Sequence, residues 1–316
     1  MPVLNRLLIL SLVAWLCALP ASAQAPAPDP DETLVEELVV TGRLPGPAWW
    51  RVTDADTTVY VLGVPSIAPK RMQWDRSIFE RRLKDANVVV LPFVNVRAKL
   101  GGSIGTAINF LRIKSGGPFE ATLDPATRDR FVAVRTRLGQ SAKHYDTRNP
   151  LAAGVQLAID YRDVSSLTNS DPAKLVRYLA QQNRVKVIEK SYDLGPQLGG
   201  ILRTPPSVGR ICFDEVLAQA EAGPGVTLAA ARAWAAGDVR GALDNERTYE
   251  RCLSTISGGH TYDERTKADT AAAIASALKT PGHAIVLVSL RPLLAQNGVL
   301  ERLRAQGFTV KTPGEL

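Results

Sequence analysis

The sequence predicts an α/β fold: a central mixed sheet flanked by helices, with strand-helix-strand units at both ends and a helical insertion between them. Three observations carry this. Val59–Gly63 and Val88–Phe93 near the start, and Ala284–Leu290 near the end, are apolar, β-branched runs of strand length. Apolar character on both faces is what a covered interior strand requires. From about residue 124 to 257 the pattern turns almost wholly helical, which separates the two strand-bearing ends.

Each element follows from local chemistry. Trp50-Arg51-Val52 and Thr58–Gly63 flank the polar turn Asp54-Ala55-Asp56, which predicts a β-hairpin. Asp75 opens a helix in which Ile78, Phe79, Arg82 and Leu83 keep a helical period, with Trp74 placed to staple its front. Val88–Phe93 is the next strand, and an interior one. Gly101-Gly102-Ser103-Ile104-Gly105 reads as a flexible turn, since no Lys-Thr follows it as in a phosphate loop. Asp124-Pro125 sets a cap before a proline at the first helical position and opens a helix through Leu138-Gly139. Pro150–Tyr161 and Pro172–Gln182 are further helices, and Arg184–Glu189 is a strand. Pro206–Gly223, Leu228–Ala236 and Leu243–Ser257 complete the helical block. Asp263–Lys279 is a long alanine-rich helix stopped by Thr280-Pro281-Gly282. Ala284–Leu290, a helix over Gly298–Gln306, and a strand over Phe308–Lys311 close the chain.

The N-terminus predicts export. Arg6 precedes an apolar run from Leu7 to Leu19, and Ala21-Ser22-Ala23 is a small-residue cleavage site. The run is short for a bilayer span, so residues 1–23 read as a signal peptide and the destination as periplasmic or secreted. Trp15-Leu16 before Cys17 does not suit a lipoprotein signal. Residues 24–47, with APAPDP, read as an extended, solvated linker. Within it Leu38-Val39-Val40 is either an edge strand or a recognition segment. Residues 48–316 are the folded domain. Past the signal only Cys212 and Cys252 remain. An even count in an exported chain invites a disulfide, the alternative being two buried thiols. The net charge of +7 is spread over short pairs such as Lys70-Arg71 and Arg81-Arg82. No basic stripe with interleaved aromatics forms, which argues against a nucleic-acid partner.

The order of these segments resembles the TraB/GumN family, which is related to the Tiki metalloproteases. The resemblance runs from Trp49 to Val310. It is carried by Trp50-Arg51-Val52 with VYVLG, a helix, and ANVVVLP. Ala233-Trp234-Ala235-Ala236-Gly237-Asp238 is similar to the family's tryptophan–glycine–aspartate stretch, and Arg265 in DERT to a family arginine. The closing AIVLVSLRPLLAQNGVLERLRAQGFTV is similar to its last strand-helix-strand. The resemblance implies metal-dependent hydrolysis of peptide bonds. The expected ligands are a histidine in a Gly-x-x-His at the first strand end, a glutamate after the second strand, and a histidine after the late strand. Imidazole and carboxylate suit a divalent ion that activates water or polarises a carbonyl.

This chain departs from that pattern at each ligand. Gly63-Val64-Pro65-Ser66 keeps Gly63 and sets Ser66 in the first histidine's place. Pro92 stands for the glutamate and Pro292 for the second histidine. Proline has no side-chain donor atom. The resemblance therefore implies a relative that has lost its metal site and needs no cofactor. Such a protein would act as a binding or accessory module toward a peptide, a glycan or another exported protein. The alternative is a metal-dependent hydrolase with a relocated site.

Few residues offer such a relocation. The chain has three histidines. His260, in Gly258-Gly259-His260-Thr261-Tyr262-Asp263-Glu264, lies nearest to carboxylates. The plain reading there is a polar loop leading into a helix whose positive N-terminus favours Asp263 and Glu264. His283 reads as a turn residue and His144 as a surface residue. Glu189 is either a cleft glutamate or an exposed strand-end acid. Arg265 either binds a carboxylate bidentately or pairs with Glu264 or Asp269 on its own helix. Ser66 lacks the G-x-S-x-G setting of a nucleophile elbow.

Overall fold

The computed structural model describes residues 31–315 apart from Arg43, Val94, residues 98–102, Ser170, Asn245 and Glu246. The signal-peptide expectation, the first part of the linker, and Gly101-Gly102 lie outside the described residues.

Strands β1 (Trp49–Thr53) and β2 (Thr57–Val64) form the predicted antiparallel hairpin. The Asp54 carboxylate closes its turn by accepting from the backbone N–H groups of Asp56 at 3.3 Å and Thr57 at 3.0 Å. Four more strands, β3 (Val88–Val90), β4 (Lys186–Ile188), β5 (Gly282–Ser289) and β6 (Thr309–Lys311), complete a six-stranded sheet. Its order is β6-β1-β2-β5-β3-β4. Strands β2, β5, β3 and β4 are parallel, whereas β1 is antiparallel to both neighbours, so the sheet is mixed. β5 comes from the far end of the chain and lies between β2 and β3, with Val286 in register with both Val61 and Val90. All three residues of β3, and β5 from Ala284 to Ser289, are buried, which is the two-sided burial their composition predicts. β3 stops earlier than predicted. Pro92 has no N–H to give a ladder, and the last bond on this line runs from the Leu91 N–H to the Ile188 carbonyl at 2.9 Å.

Helix α1 (Ser77–Leu83) starts after Asp75, whose carboxylate accepts from the Ser77 N–H at 2.8 Å. Trp74 meets Phe79 edge to face, ring centroids 6.0 Å apart, which is the predicted staple. Helix α2 (Ser103–Ile113) stands where the glycines suggested a flexible turn, and Ser103 is its first residue. The helical block holds α3 (Pro125–Arg137), α4 (Pro150–Val164), α5 (Ala173–Gln182), α6 (Leu194–Arg203) and α7 (Pro206–Ala222). Asp124 caps α3 through the Thr127 N–H at 3.0 Å, and Asn149 caps α4 through the Ala152 N–H at 3.0 Å. Then come α8 (Gly225–Ala235), α9 (Val239–Leu243) and α10 (Thr248–Ser254). The helix expected over Leu243–Ser257 is thus shorter, and Leu243 belongs to α9. α11 (Gly259–Ala277) begins a turn before the expected Asp263, because Gly258 takes the left-handed φ of 91° that reverses the chain there. α12 (Leu290–Leu294) and α13 (Val299–Ala305) finish the set. No helix among the described residues is long and apolar enough to cross a membrane.

The apolar interior divides in two. One core packs on the sheet and includes Trp49, Trp50, Phe79 and Leu287. The other lies within the helical insertion, around Phe119, Phe131, Tyr145 and Phe213. Cys212 and Cys252 are buried in this second core and form a disulfide, their Cα atoms 5.2 Å apart.

The linker departs from the solvated arm its prolines suggest. From Asp31 onward it lies against the body. Leu38 and Val39 are buried in the sheet core, with Leu34 and Val35 packed on it. The Val35 N–H donates to the Leu294 carbonyl at 2.9 Å, and the Trp50 indole to the Leu38 carbonyl at 3.3 Å. Glu36–Leu38 is a single 3₁₀ turn rather than an edge strand. Burial of these four apolar side chains is what holds the segment on the sheet core.

Candidate functional site

Parallel strands share a direction, so β2, β5 and β3 end on the same edge of the sheet. Open α/β sheets bind ligands at that edge. A cavity of about 670 Å³ lies there. Ser66 after β2, Pro92 after β3, and Ser289 and Pro292 at the end of β5 line its sheet side. The helical insertion lines the rest with Phe110 and Ile113 of α2, Val155 and Ile159 of α4, and Leu198 and Ile201 of α6. Ser66, Pro92 and Pro292 therefore share one mostly apolar space.

Gly63 is held by packing one step before this wall. A Cβ there would lie 2.5 Å from Leu290 Cδ2 and 2.8 Å from Trp50 Cζ3. The Trp234 indole N–H donates to the Gly63 carbonyl at 2.6 Å. Gly237 turns with φ +78°, and a Cβ on it would lie 2.9 Å from the Gly46 carbonyl oxygen. Asp238 caps α9 through the Gly241 N–H at 3.0 Å. The tryptophan–glycine–aspartate stretch thus fastens α8 and α9 to the end of β2.

The family resemblance implies a divalent ion at the strand ends, and the residues there do not fit one. At the three ligand positions the wall offers one neutral hydroxyl, Ser66, and two pyrrolidine rings, and Ser289 beside them adds only a second neutral hydroxyl. Among the described residues no group of three or more His, Cys, Asp or Glu is placed to hold a metal.

The other sequence candidates lie off the cavity lining. Glu189 pairs with Arg177 at 2.5 Å. Arg265 is exposed, stacks over the Tyr192 ring at 5.6 Å and approaches Asp269 at 3.9 Å. His260 is exposed, while Gly259, Tyr262 and Asp263 on an adjacent face of α11 line the cavity. His283 is part of β5, not a turn, and its Nε2 lies 2.8 Å from the Arg82 carbonyl.

Two polar clusters border the cavity that the sequence reading passed over. The first centres on Lys267 of α11, 1% exposed, with its ammonium 2.6 Å from Asp31 and 2.7 Å from Asp263. Both carboxylates line the cavity. Burial pulls the Lys267 pKa down, but the two carboxylates outweigh it and hold the group above its ordinary value. Burial raises the Asp263 carboxyl, with Lys267 opposing. The Asp263–Lys267 spacing of four is a legible helical ion pair, whereas nothing local points to Asp31.

The second cluster centres on buried Asp160 of α4. It accepts from the Tyr145 hydroxyl at 2.6 Å and the Gln156 amide at 3.0 Å, and His144 Nε2 lies 2.9 Å away. Only a ring protonated at Nε2 can donate to this carboxylate. Tyr145 and Gln156 line the cavity. Burial, then Asp160, push the Tyr145 phenol above its ordinary range. His144 is therefore a carboxylate-paired, partly buried residue rather than the free surface residue its local sequence suggests.

The structure defines the class: a mixed α/β domain with a ligand-sized cavity at the C-terminal ends of its parallel strands. The family model for TraB/PrgY/gumN matches residues 48–312, and the chain belongs to the TraB/PrgY/gumN family. Neither curated proteins nor solved structures yielded a match.

Proposed function

We propose that this chain is an exported binding or accessory module of its family rather than a working metallopeptidase, and that its ligand sits in the strand-end cavity. The observation that carries this is the shared wall of Ser66, Pro92 and Pro292. A metallopeptidase needs donors there to hold an ion that activates water, and two of the three residues have no side-chain donor. What the cavity does offer is mostly apolar surface with polar and charged side chains set into it, Thr147, Gln156, Lys114, Arg162 and Glu250 among them. That balance suits binding of a compact ligand. It favours a peptide with apolar side chains, from a free peptide or another exported protein, over a glycan. The signal peptide read at residues 1–23 and the disulfide, a bond favoured in oxidising compartments, support a periplasmic or secreted location.

The test is metal content and peptide cleavage on the purified chain after exposure to Mn²⁺, Co²⁺ or Zn²⁺. The expected result is no stoichiometric ion and no chelator-sensitive cleavage. A tightly held ion together with such cleavage overturns the reading. A second reading, a hydrolase with a relocated site, draws on His144 and Asp160 beside the cavity. It requires peptide cleavage that His144→Ala abolishes.

A further inference from the structure

We propose that α2 is a docking helix and that its partner is an anionic lipid bilayer. Successive residues of a helix are set about 100° apart, which divides this eleven-residue helix into two sides. Thr106, Asn109 and Ile113 share the inward side. A Cβ on Gly195 of α6 would lie 3.0 Å from Thr106 Oγ1, one on Gly199 3.7 Å from Asn109 Nδ2, and Ile113 is buried. Ile104, Ile108 and Leu111, spaced i, i+4, i+7, lie on the other side. They are 78%, 45% and 67% exposed, and Ala107 between them is exposed too. Three large aliphatic residues in one outward stripe mark a contact surface.

Charge selects the partner. No Asp or Glu occurs between Asp85 and Glu120, whereas Arg97, Lys99, Arg112 and Lys114 do. Arg97 and Arg112 are exposed. In the fold one acid, Asp193, stands in register opposite Arg97, so the bases beside the stripe remain in excess, which suits the boundary of an anionic membrane, where acyl chains take the stripe and headgroups the bases. A second copy of this face would oppose like charges to like. Phe110 and Ile113 of the same helix line the cavity, so docking would bring the cavity wall to the lipid surface. The proposal stands whether that cavity binds or cleaves.

The test uses the chain from Gln24 onward, which keeps every described residue, and vesicles of phosphatidylcholine alone or mixed equally with phosphatidylglycerol. Cosedimentation is expected to show at least about tenfold stronger binding to the anionic vesicles, weakened by added salt. The exposed pair Ile104→Ser/Leu111→Ser should lose about tenfold of that binding while keeping the wild-type unfolding midpoint. Equal binding to both vesicles, or equal binding by wild type and the folded double variant, overturns the proposal. A solution dimer abolished by the same double variant also overturns it, since the stripe would then belong to a second copy.

Discussion

The indole N–H of Trp234 donates to the backbone carbonyl of Gly63 at 2.6 Å, across 171 positions of sequence. This bond fixes the last turn of α8 to the end of β2, directly before the residues that line the cavity. Ring packing extends the clamp, with Trp74 edge to face on Trp234 at 5.5 Å.

Gly63→Ala tests how closely that corner is packed. The added methyl meets buried Leu290 and Trp50 at distances no relaxed contact shows. Overpacking of this kind costs about 1–3 kcal/mol, read as a lower urea midpoint. A midpoint within error of wild type would mean the two side chains yield without cost.

Lys267→Met removes a buried cation and leaves Asp31 and Asp263 facing each other. Breaking a buried pair from one side costs about 3–5 kcal/mol. Adding Asp31→Asn and Asp263→Asn to that variant should recover most of the loss, because no uncompensated charge remains. Chemical denaturation of the three proteins checks this. A single variant as stable as wild type would show that the triad is not closed to water.

The Cys212–Cys252 disulfide closes a loop of 40 residues inside the second core. Chain entropy gives such a loop about 3–4 kcal/mol. The double replacement Cys212→Ala/Cys252→Ala should lower stability by that amount. Reductant should destabilise the wild type and leave the double variant unaffected.

Asp124 contributes stability with a definite pH signature. The Thr127 N–H, with help from Arg210, lowers its carboxyl from 3.8 to about 2. A depressed folded-state pKa means the contribution is present above pH 3.8 and lost as pH falls toward about 2. The difference in melting temperature between wild type and Asp124→Ala should therefore be constant near neutrality and shrink in that acidic window. A gap unchanged down to the lower limit would remove the cap bond as its source.

Restoring donors to the strand ends tests the vacated site. The triple variant Ser66→His/Pro92→Glu/Pro292→His places two imidazoles and a carboxylate on one cavity wall, the donor types a divalent ion takes. It should bind Zn²⁺ or Mn²⁺ at least about tenfold more tightly than wild type in calorimetry, the loss expected of a missing ligand-shell group run in reverse. No gain in a folded triple variant would show that the wall no longer has the spacing for an ion.

The strands and most helices were legible because their signals are local. β-branched runs at 59–63, 88–93 and 284–290, the cap at Asp124, and the stop at Pro281-Gly282 each act within a few residues. α2 was missed because Gly101-Gly102 precede it in the sequence, Gly105 lies in its first turn, and its aliphatic stripe points away from the protein, so neither capping nor core periodicity announces it. The packed linker was missed for the converse reason. Its prolines act locally, while the surfaces that bury Leu38 come from Trp50 and from the chain's far end.

The sequence by itself determined the alternation of strand and helix, the pairing of the hairpin, and the chemical poverty of the three strand-end positions. Only the tertiary structure decided that these three positions meet, that Asp31 reaches Lys267, and that His144 and Tyr145 join Asp160 beside the cavity. Periodicity and capping are written in windows of a few residues. Which surfaces converge is set by the order of strands in the sheet and by burial summed over the whole chain, and no short window contains that sum.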